Sequence, residues 1–454
     1  MKYFKLYESI QYKGKRNIVE FNPAKVLVIT FAVIIFIGSL LLVLPAAIKN
    51  ESLSYINALF TSTSAVCVTG LVVKDTMDTF TVFGQFIIML LIKIGGLGVM
   101  SFAILITSML GKRISFRQRL LFQEDLNQYT TQGIIQLVKY IILITFVFES
   151  VGAIILGIHW FPIMGIKSFY FGLFHAISAF NNAGFDLMGN YSSLTYYHGD
   201  LLTNLVIIIL IILGGIGFFV LWNFYSYIKY KRLFYHTKLV LLTTGLLLLI
   251  SFLIIFFLEY NNPSTLNKKI ISEKILNVIF LAVTPRTAGF STIAIDKMRQ
   301  ASLFFLIILM FIGASPGSTG GGIKTTTFAV ILISTIAFIK KKQSVIFERK
   351  ISNNIYYKSC VIFFLSIVLI SLGTFALLMI ESGRFSEILF EVVSAFGTVG
   401  LSSGITSTLS TLGKLVLILV MFIGRVGPLA FVYTLEQKVE PDLLEYPEAN
   451  VMIG

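Results

Sequence analysis

Four tripeptides ending in glycine recur along the chain: Val68-Thr69-Gly70, Asn182-Ala183-Gly184, Thr287-Ala288-Gly289 and Thr398-Val399-Gly400. Their glycines are spaced by 114, 105 and 111 residues, and an apolar residue follows each one (Leu71, Phe185, Phe290, Leu401). The chemistry open to such segments is the coordination of a desolvated cation by backbone carbonyl oxygens. Glycine suits that task because it accepts conformations that aim successive carbonyls to one side and leaves no side chain in the way. A second glycine series runs in step: Gly95-Gly96-Leu97-Gly98, Gly214-Gly215-Ile216-Gly217, Ile312-Gly313-Ala314 and Ile423-Gly424-Arg425-Val426-Gly427. Its first glycines lie 25, 30, 24 and 24 residues beyond the tripeptides. Any one of these glycines alone would be read as a helix cap or a packing contact; two landmarks in phase over four stretches make an internal repeat.

The elements that would position these carbonyls follow from composition. With 454 residues, 56% hydrophobic and only 13% charged, the chain excludes a water-soluble enzyme, a disordered protein and a secreted disulfide scaffold. The two cysteines, Cys67 and Cys360, form no metal or redox motif. Eight apolar runs, near 25–47, 80–109, 134–159, 200–228, 238–259, 299–339, 356–381 and 411–434, are long enough to cross a bilayer. Between the members of each pair lies a shorter one, at 53–66, 168–180, 271–284 and 385–396, which as a helix reaches only ~20 Å and must enter and return on one side.

Charge placement tests this layout. The N-terminal arm carries Lys2, Lys5, Lys13, Lys15, Arg16 and Lys25, and the three linkers carry Lys112, Arg113, Arg117 and Arg119, then Lys229, Lys231, Arg232 and Lys238, then Lys340, Lys341, Lys342, Arg349, Lys350 and Lys358. That places 20 of the 36 basic residues on one face if the short segments re-enter, and on alternating faces if they do not. The positive-inside rule therefore predicts re-entry, with both termini cytoplasmic. The expected fold is an all-α integral membrane protein: four repeated units of helix, re-entrant pore loop and helix, with eight spanning helices around a pseudo-four-fold pore. The expected divisions are a cytoplasmic arm (1–24), pore repeats over 25–111, 112–229, 230–340 and 341–434, the last three including their linkers, and a tail (435–454). The net charge of +14 marks a cytoplasmic face and anionic lipid as partners rather than nucleic acid.

Thr398-Val399-Gly400, preceded by Phe390-Glu391-Val392-Val393-Ser394-Ala395-Phe396-Gly397, resembles a degenerate potassium-channel filter. The whole layout resembles the Ktr/Trk/HKT superfamily of potassium transporters, most closely the membrane subunit of bacterial Ktr systems. The first run starts near residue 25, which leaves no room for the extra N-terminal helix pair typical of Trk-type subunits. The resemblance implies four pore units in one chain, a homodimer with one pore per protomer, and a cytosolic regulatory ring subunit carrying the nucleotide-binding domain. It implies potassium as the transported ion, held by the backbone carbonyls of Thr69, Ala183, Ala288 and Val399, with sodium as a candidate activator. In the plant branch, serine for the first filter glycine accompanies sodium preference; here Gly70, Gly184, Gly289 and Gly400 are all present, which favours potassium. No second glycine comes two residues on, so the filter is short, and sodium or mixed-cation conduction stays open as the alternative.

The run 299–339 is too long for one span, and its middle, Gly313-Ala314-Ser315-Pro316-Gly317-Ser318-Thr319-Gly320-Gly321-Gly322, cannot stay helical at ~1 kcal/mol per glycine and ~3 per proline. Two half-helices joined by a loop are predicted, and irregular backbone at that depth must face a cavity. By resemblance the loop is an intramembrane gate. Gly317 to Thr325 differs from a phosphate-binding loop, since Ile323 separates Gly322 from Lys324 and no strand precedes it, so no nucleotide is assigned to this chain. Arg425 in the last run must face the interior, hydrogen-bonding loop carbonyls or repelling cations, or else pairing with Glu391. Lys93 and Glu149 are expected to pack or snorkel; Arg286, beside a cation filter, is unexpected. His159, His175, His198 and His236 have no ligand spacing, and no nucleophile motif appears, so no enzyme activity is expected.

Overall fold

Apolar runs inside lipid must satisfy every backbone group internally, which leaves helix as their main structure. The computed structural model describes residues 23–49, 52–98 and 134–435. They fold into α1 (Pro23–Val43), α2 (Tyr55–Val66), α3 (Val82–Leu97), α4 (Ile134–Met164), α5 (Lys167–Phe180), α6 (Leu201–Gly215), α7 (Phe218–Tyr230) and α8 (Tyr235–Glu259). There follow α9 (Ile271–Val283), α10 (Gln300–Phe311), α11 (Thr325–Ile339), α12 (Asn353–Ile380), α13 (Phe385–Gly397), α14 (Thr411–Val426) and α15 (Pro428–Leu435). Between α11 and α12 a small hairpin pairs β1 (Val345–Ile346) with β2 (Arg349–Lys350) antiparallel, Val345 opposite Lys350.

Among the described residues α1, α4, α8 and α12 are long and apolar enough to cross a membrane unbroken, and the bent pair α6 and α7 makes a fifth if taken as one span. The four short segments predicted at 53–66, 168–180, 271–284 and 385–396 appear as α2, α5, α9 and α13, of 12, 14, 13 and 13 residues. Each is buried along its C-terminal half. In α2 every residue from Phe60 to Val66 is buried, and in α13 every residue from Phe390 to Gly397.

The sequence foresees one broken run, and the structure breaks more of them. The run 200–228 is not a single helix: α6 and α7 meet at 95°, with Gly217 between them at φ +101°. The run 411–434 breaks at Gly427 (φ +97°), where Pro428 starts α15. In the run 80–109, α3 stops at Leu97 before Gly98 (φ +81°), and residues 99–109 lie outside the described ones. A left-handed glycine ends each helix, because the chain cannot continue an α-helical ladder through positive φ. At α7 the hydrogen bonding supplies a second reason, since the Phe218 amide donates to the Gly317 carbonyl (2.8 Å) in the loop before α11 rather than into a continuing helix.

The glycines heading the second series bring α3, α6 and α14 against the ends of the short helices. A methyl on Gly95 would overlap the Val66 carbonyl, one on Gly214 the Phe180 carbonyl, and one on Gly424 the Phe396 carbonyl. Only glycine permits this approach, so the C-termini of α2, α5 and α13 rest on the backbone of the helix that follows each of them.

Candidate functional site

α2, α5 and α13 end in the same turn, and α9, which stops at Val283, reaches its tripeptide through a longer one. Val68, Asn182, Thr287 and Thr398, the first residues of the four tripeptides, have φ of +57°, +56°, +68° and +50°. Three of these four are β-branched, for which the left-handed region costs roughly 1–2 kcal/mol, so the surrounding structure must impose it. The glycines that close the tripeptides return to positive φ: Gly70 +90°, Gly184 +71°, Gly289 +77° and Gly400 +88°. The residues between them, Thr69, Ala183, Ala288 and Val399, keep negative φ. The hand of the backbone thus alternates along each tripeptide.

The hydrogen bonds say which groups face which way. The amides point back to the helix ends: Thr69 N donates to Ser64 O (2.8 Å), Ala183 N to Ser178 O (2.8 Å), Ala288 N to Thr284 O (3.0 Å) and Val399 N to Ser394 O (2.8 Å). Gly70 N and Gly400 N donate to the hydroxyls of Ser64 (3.0 Å) and Ser394 (3.1 Å). The carbonyls of Thr69, Ala183, Ala288 and Val399 accept no hydrogen bond among the described residues, although all four residues are fully buried. Buried carbonyls left without donors are costly unless something else occupies them.

The four tripeptides close a ring. A methyl on Gly70 would lie 2.5 Å from Ala183 O, one on Gly184 3.0 Å from Ala288 O, one on Gly289 2.7 Å from Val399 O, and one on Gly400 would overlap Thr69 O. Each predicted carbonyl thus sits against the glycine of its neighbour, in the cyclic order of the chain. Asn182 also reaches the third tripeptide, its Nδ2 donating to Thr287 Oγ1 (3.1 Å). One side of the ring opens into a cavity of about 520 Å³ that touches all four glycines and Asp75, Asp186 and Asp296.

The other side is closed by the predicted loop. Residues 312–324 join α10 to α11, and Gly313 N donates to Ile323 O (2.9 Å), pinning the loop's two ends together. Ser315 N and Thr319 N donate to the carbonyls of Gly215 (3.1 Å) and Gly214 (3.3 Å) at the end of α6, and Gly217 packs against Pro316 O. Within the loop, Ser318 Oγ donates to Ser315 O (2.6 Å) and Lys324 Nζ to Gly320 O (2.6 Å), while Ala314 O accepts from Thr325 N (3.3 Å). The loop rests on the ring itself: Gly321 N donates to Thr398 Oγ1 (2.9 Å), Gly320 has no room for a methyl against Thr287, and Gly322 abuts Gly397. Arg425 donates through Nη1 to the Thr319 carbonyl and through Nη2 to the Gly95 carbonyl. Beyond the loop lies a second cavity of about 170 Å³, lined by Gly317, Gly320, Gly322, Lys324 and Arg425, that shares no lining residue with the first.

The sequence alternatives separate here. Glu391 does not pair with Arg425; its carboxylate accepts from Ser402 Oγ (2.6 Å), Ser403 N (2.9 Å) and Thr406 Oγ1 (2.7 Å), which fixes the segment just after Gly400. Lys93 and Glu149 form an ion pair with each other, and Asn181, next to the second tripeptide, donates to Glu149 (2.8 Å). Sequence reasoning missed Glu259 and gave His175 no role beyond the absence of ligand spacing. Glu259 accepts from Arg299 N (3.0 Å), Ser302 Oγ (2.5 Å), Asn262 Nδ2 (2.7 Å) and Thr265 Oγ1 (2.7 Å). The buried His175 donates from Nδ1 to Phe171 O (2.7 Å), leaving Nε2 to accept from Leu187 N (3.4 Å). A carboxylate or imidazole inside an apolar run was the available signal, but its partners lie too far along the chain to be read. Among the described residues no three His, Cys, Asp or Glu side chains gather as a metal site.

Known proteins share this architecture. The chain is 48% identical over 438 residues to the Ktr system potassium uptake protein B of Bacillus subtilis, covering 96% of this chain and 98% of that protein. It is 39% identical over 449 residues to the potassium/sodium uptake protein NtpJ of Enterococcus hirae, covering 97% and 99%. The crystal structure of the potassium transporter TrkH from Vibrio parahaemolyticus superposes with a TM-score of 0.73 at 19% identity, over 93% of this chain and 86% of that one, which shows a shared fold. The TrkH family, described as cation transport proteins, matches residues 5–444. With that match, and with its several apolar membrane-crossing helices, the chain belongs to the TrkH family of cation transport proteins, multi-pass membrane transporters rather than enzymes.

Proposed function

We propose that this protein is a potassium-uptake subunit, in which the ring of Gly70, Gly184, Gly289 and Gly400 is a selectivity filter. The observation that carries the reading is the closed cycle in which the carbonyls of Thr69, Ala183, Ala288 and Val399 each meet the glycine of the preceding tripeptide while accepting no hydrogen bond among the described residues. Carbonyls so placed replace the hydration shell of a potassium ion, and their amides, tied back to the short helices, hold them there. Four helix, re-entrant loop and helix units around this axis, with eight crossings in all, are the arrangement that presents four such segments from one chain. The ion moves passively, driven by a membrane potential worth ~2.3 kcal/mol per charge per 100 mV.

The loop Gly313–Gly322, seated between the filter and the inner cavity, is the gate, and Arg425 latches it through the Thr319 carbonyl. Opening requires the loop to leave Thr287 and Thr398. Twenty basic residues in the arm and linkers favour cytoplasmic termini. That face is the docking surface for a cytosolic ring subunit that binds the regulatory nucleotide, and the chain works as a homodimer. The naming of the B. subtilis relative as part of a Ktr system supports the assembly with a partner.

Potassium-uptake complementation with Gly70, Gly184, Gly289 and Gly400 changed singly to alanine tests the filter. Loss of uptake with retained membrane expression is expected at each; full growth with all four would sink the reading. A second reading, conduction of sodium as well, is favoured by the name of the E. hirae relative. Ion-specific flux in liposomes, with Gly70→Ser as the comparison, decides between them.

A further inference from the structure

Arg286 stands immediately before the third tripeptide, at the end of α9, and carries a positive charge beside carbonyls that are proposed to hold cations. The residue is 9% exposed, and its Nη1 meets no acceptor among the described residues. Lys93 in the apolar body pairs with Glu149, whereas no described carboxylate pairs with Arg286. On α8 a second polar group is in the same position: Thr244 is 8% exposed and its Oγ1 has no hydrogen-bond partner. Both residues line one cavity of about 20 Å³ between α6, α8 and α9, whose other side chains are aliphatic: Ile211, Ile212, Ile216, Leu248 and Val283.

We infer that this cavity is an anion site, in which the Arg286 guanidinium and the Thr244 hydroxyl hold a single halide ion. The volume admits one occupant of about the size of a water molecule, and so excludes a phosphate or a lipid headgroup. A guanidinium only donates, and the hydroxyl can donate beside it, so the occupant must be an acceptor. A water accepting from the guanidinium could donate one hydrogen to Thr244 Oγ1, but its other hydrogen would still face aliphatic walls, unsatisfied. A halide has no hydrogens to satisfy and cancels the buried charge, which a water does not. Cancelling it also removes a repulsion that an uncompensated guanidinium would exert on any cation at the nearby Ala288 carbonyl. The site stands apart from the proposed transport reading, because it needs only the charge of Arg286 and the shape of its pocket.

The test is the thermal unfolding midpoint of the purified full-length protein, titrated with potassium chloride or bromide against potassium gluconate at constant potassium. The wild type is expected to gain stability saturably with halide, and Arg286→Met and Thr244→Val to lose or weaken that response. A wild type indifferent to halide, or a rise that survives in both variants, overturns the site. Where Arg286→Met does not fold, bromide-soaked crystals of the unaltered protein give the answer. An anomalous peak within hydrogen-bonding reach of Arg286 Nη1 and Thr244 Oγ1 supports the site, and a pocket holding only water or nothing overturns it. Failure here would leave the glycine-substitution results untouched, so the two readings fail separately.

Discussion

Gly400 leaves no space between itself and the carbonyl oxygen of Thr69, so the last of the four tripeptides closes onto the first. Residues far apart in the chain thereby make one wall of a common ring, in which backbone meets backbone.

Adding a methyl to that wall is therefore expected to be severe. Gly400→Ala places a side chain where φ is +88° and where Thr69 O already sits, combining left-handed strain of roughly 1–3 kcal/mol with a steric block. Potassium flux in proteoliposomes should fall to background while the protein still purifies as a folded species. Flux within twofold of wild type would remove Gly400 from the pathway.

Glycines in the helix contacts should instead affect folding. Gly424→Ala overlaps the Phe396 carbonyl, and overpacking of this kind costs roughly 1–3 kcal/mol, whereas a methyl added to Gly245 on α8 would meet nothing within 4 Å and stands to gain about 1 kcal/mol from alanine's helix propensity. Thermal midpoints of the two variants should move in opposite directions.

Arg425→Gln removes a charge-assisted hydrogen bond to the loop at Thr319 or to Gly95. Such bonds are worth about 1.5–3 kcal/mol, so the closed state should lose about 10- to 100-fold in its equilibrium against the open one. Flux without any activating partner should rise, with the preference between potassium and sodium unchanged because the ring is not altered. Unchanged flux would show that Arg425 does not latch the loop.

The 520 Å³ cavity that touches the four glycines contains a group that titrates near neutrality. Burial pushes the Asp186 carboxyl up to about 7, the neighbouring Asp75 charge adds to the rise, and a hydrogen bond from Met188 N opposes it. Asp186 is neutral below that value and charged above it. Uptake at limiting potassium should therefore increase a few-fold between about pH 6 and 8 as the mouth gains negative charge, and Asp186→Asn should flatten the profile. For folding the sign is reversed: the buried carboxylate form is disfavoured, so stability falls as pH rises from the ordinary carboxylate value towards 7.

Glu391 takes hydrogen bonds from Ser402, Ser403 and Thr406 and so positions the segment beyond Gly400. Glu391→Gln leaves one carbonyl oxygen for donors that now face an amide. The expected outcome is a loosened fourth segment and weaker discrimination against sodium, measured as the ratio of the two fluxes, with overall uptake retained.

The short helices were legible in the sequence because length against bilayer thickness is a strong constraint: 271–284 was expected and Ile271–Val283 is found. The break in 299–339 was legible for a similar reason, since five glycines and a proline outweigh any helical tendency. The 95° bend at Gly217 was not legible, because one glycine in an apolar run costs only about 1 kcal/mol and the Phe218 to Gly317 hydrogen bond that fixes the bend joins residues about a hundred positions apart. For Arg425 the sequence identified the kind of partner, loop carbonyls, but not Gly95. Which helix faces which is decided by packing, and the pairing of Lys93 with Glu149 depends on that too.

A conduit assembled from four identical subunits repeats every substitution four times. Here the ring is written once, in four different spellings, with threonine, alanine, alanine and valine at the carbonyl positions and, among the described residues, serine hydroxyls bracing only Gly70 and Gly400. A single codon change therefore alters one quarter of the wall, so heredity can adjust the proposed pore in steps finer than a symmetric channel allows.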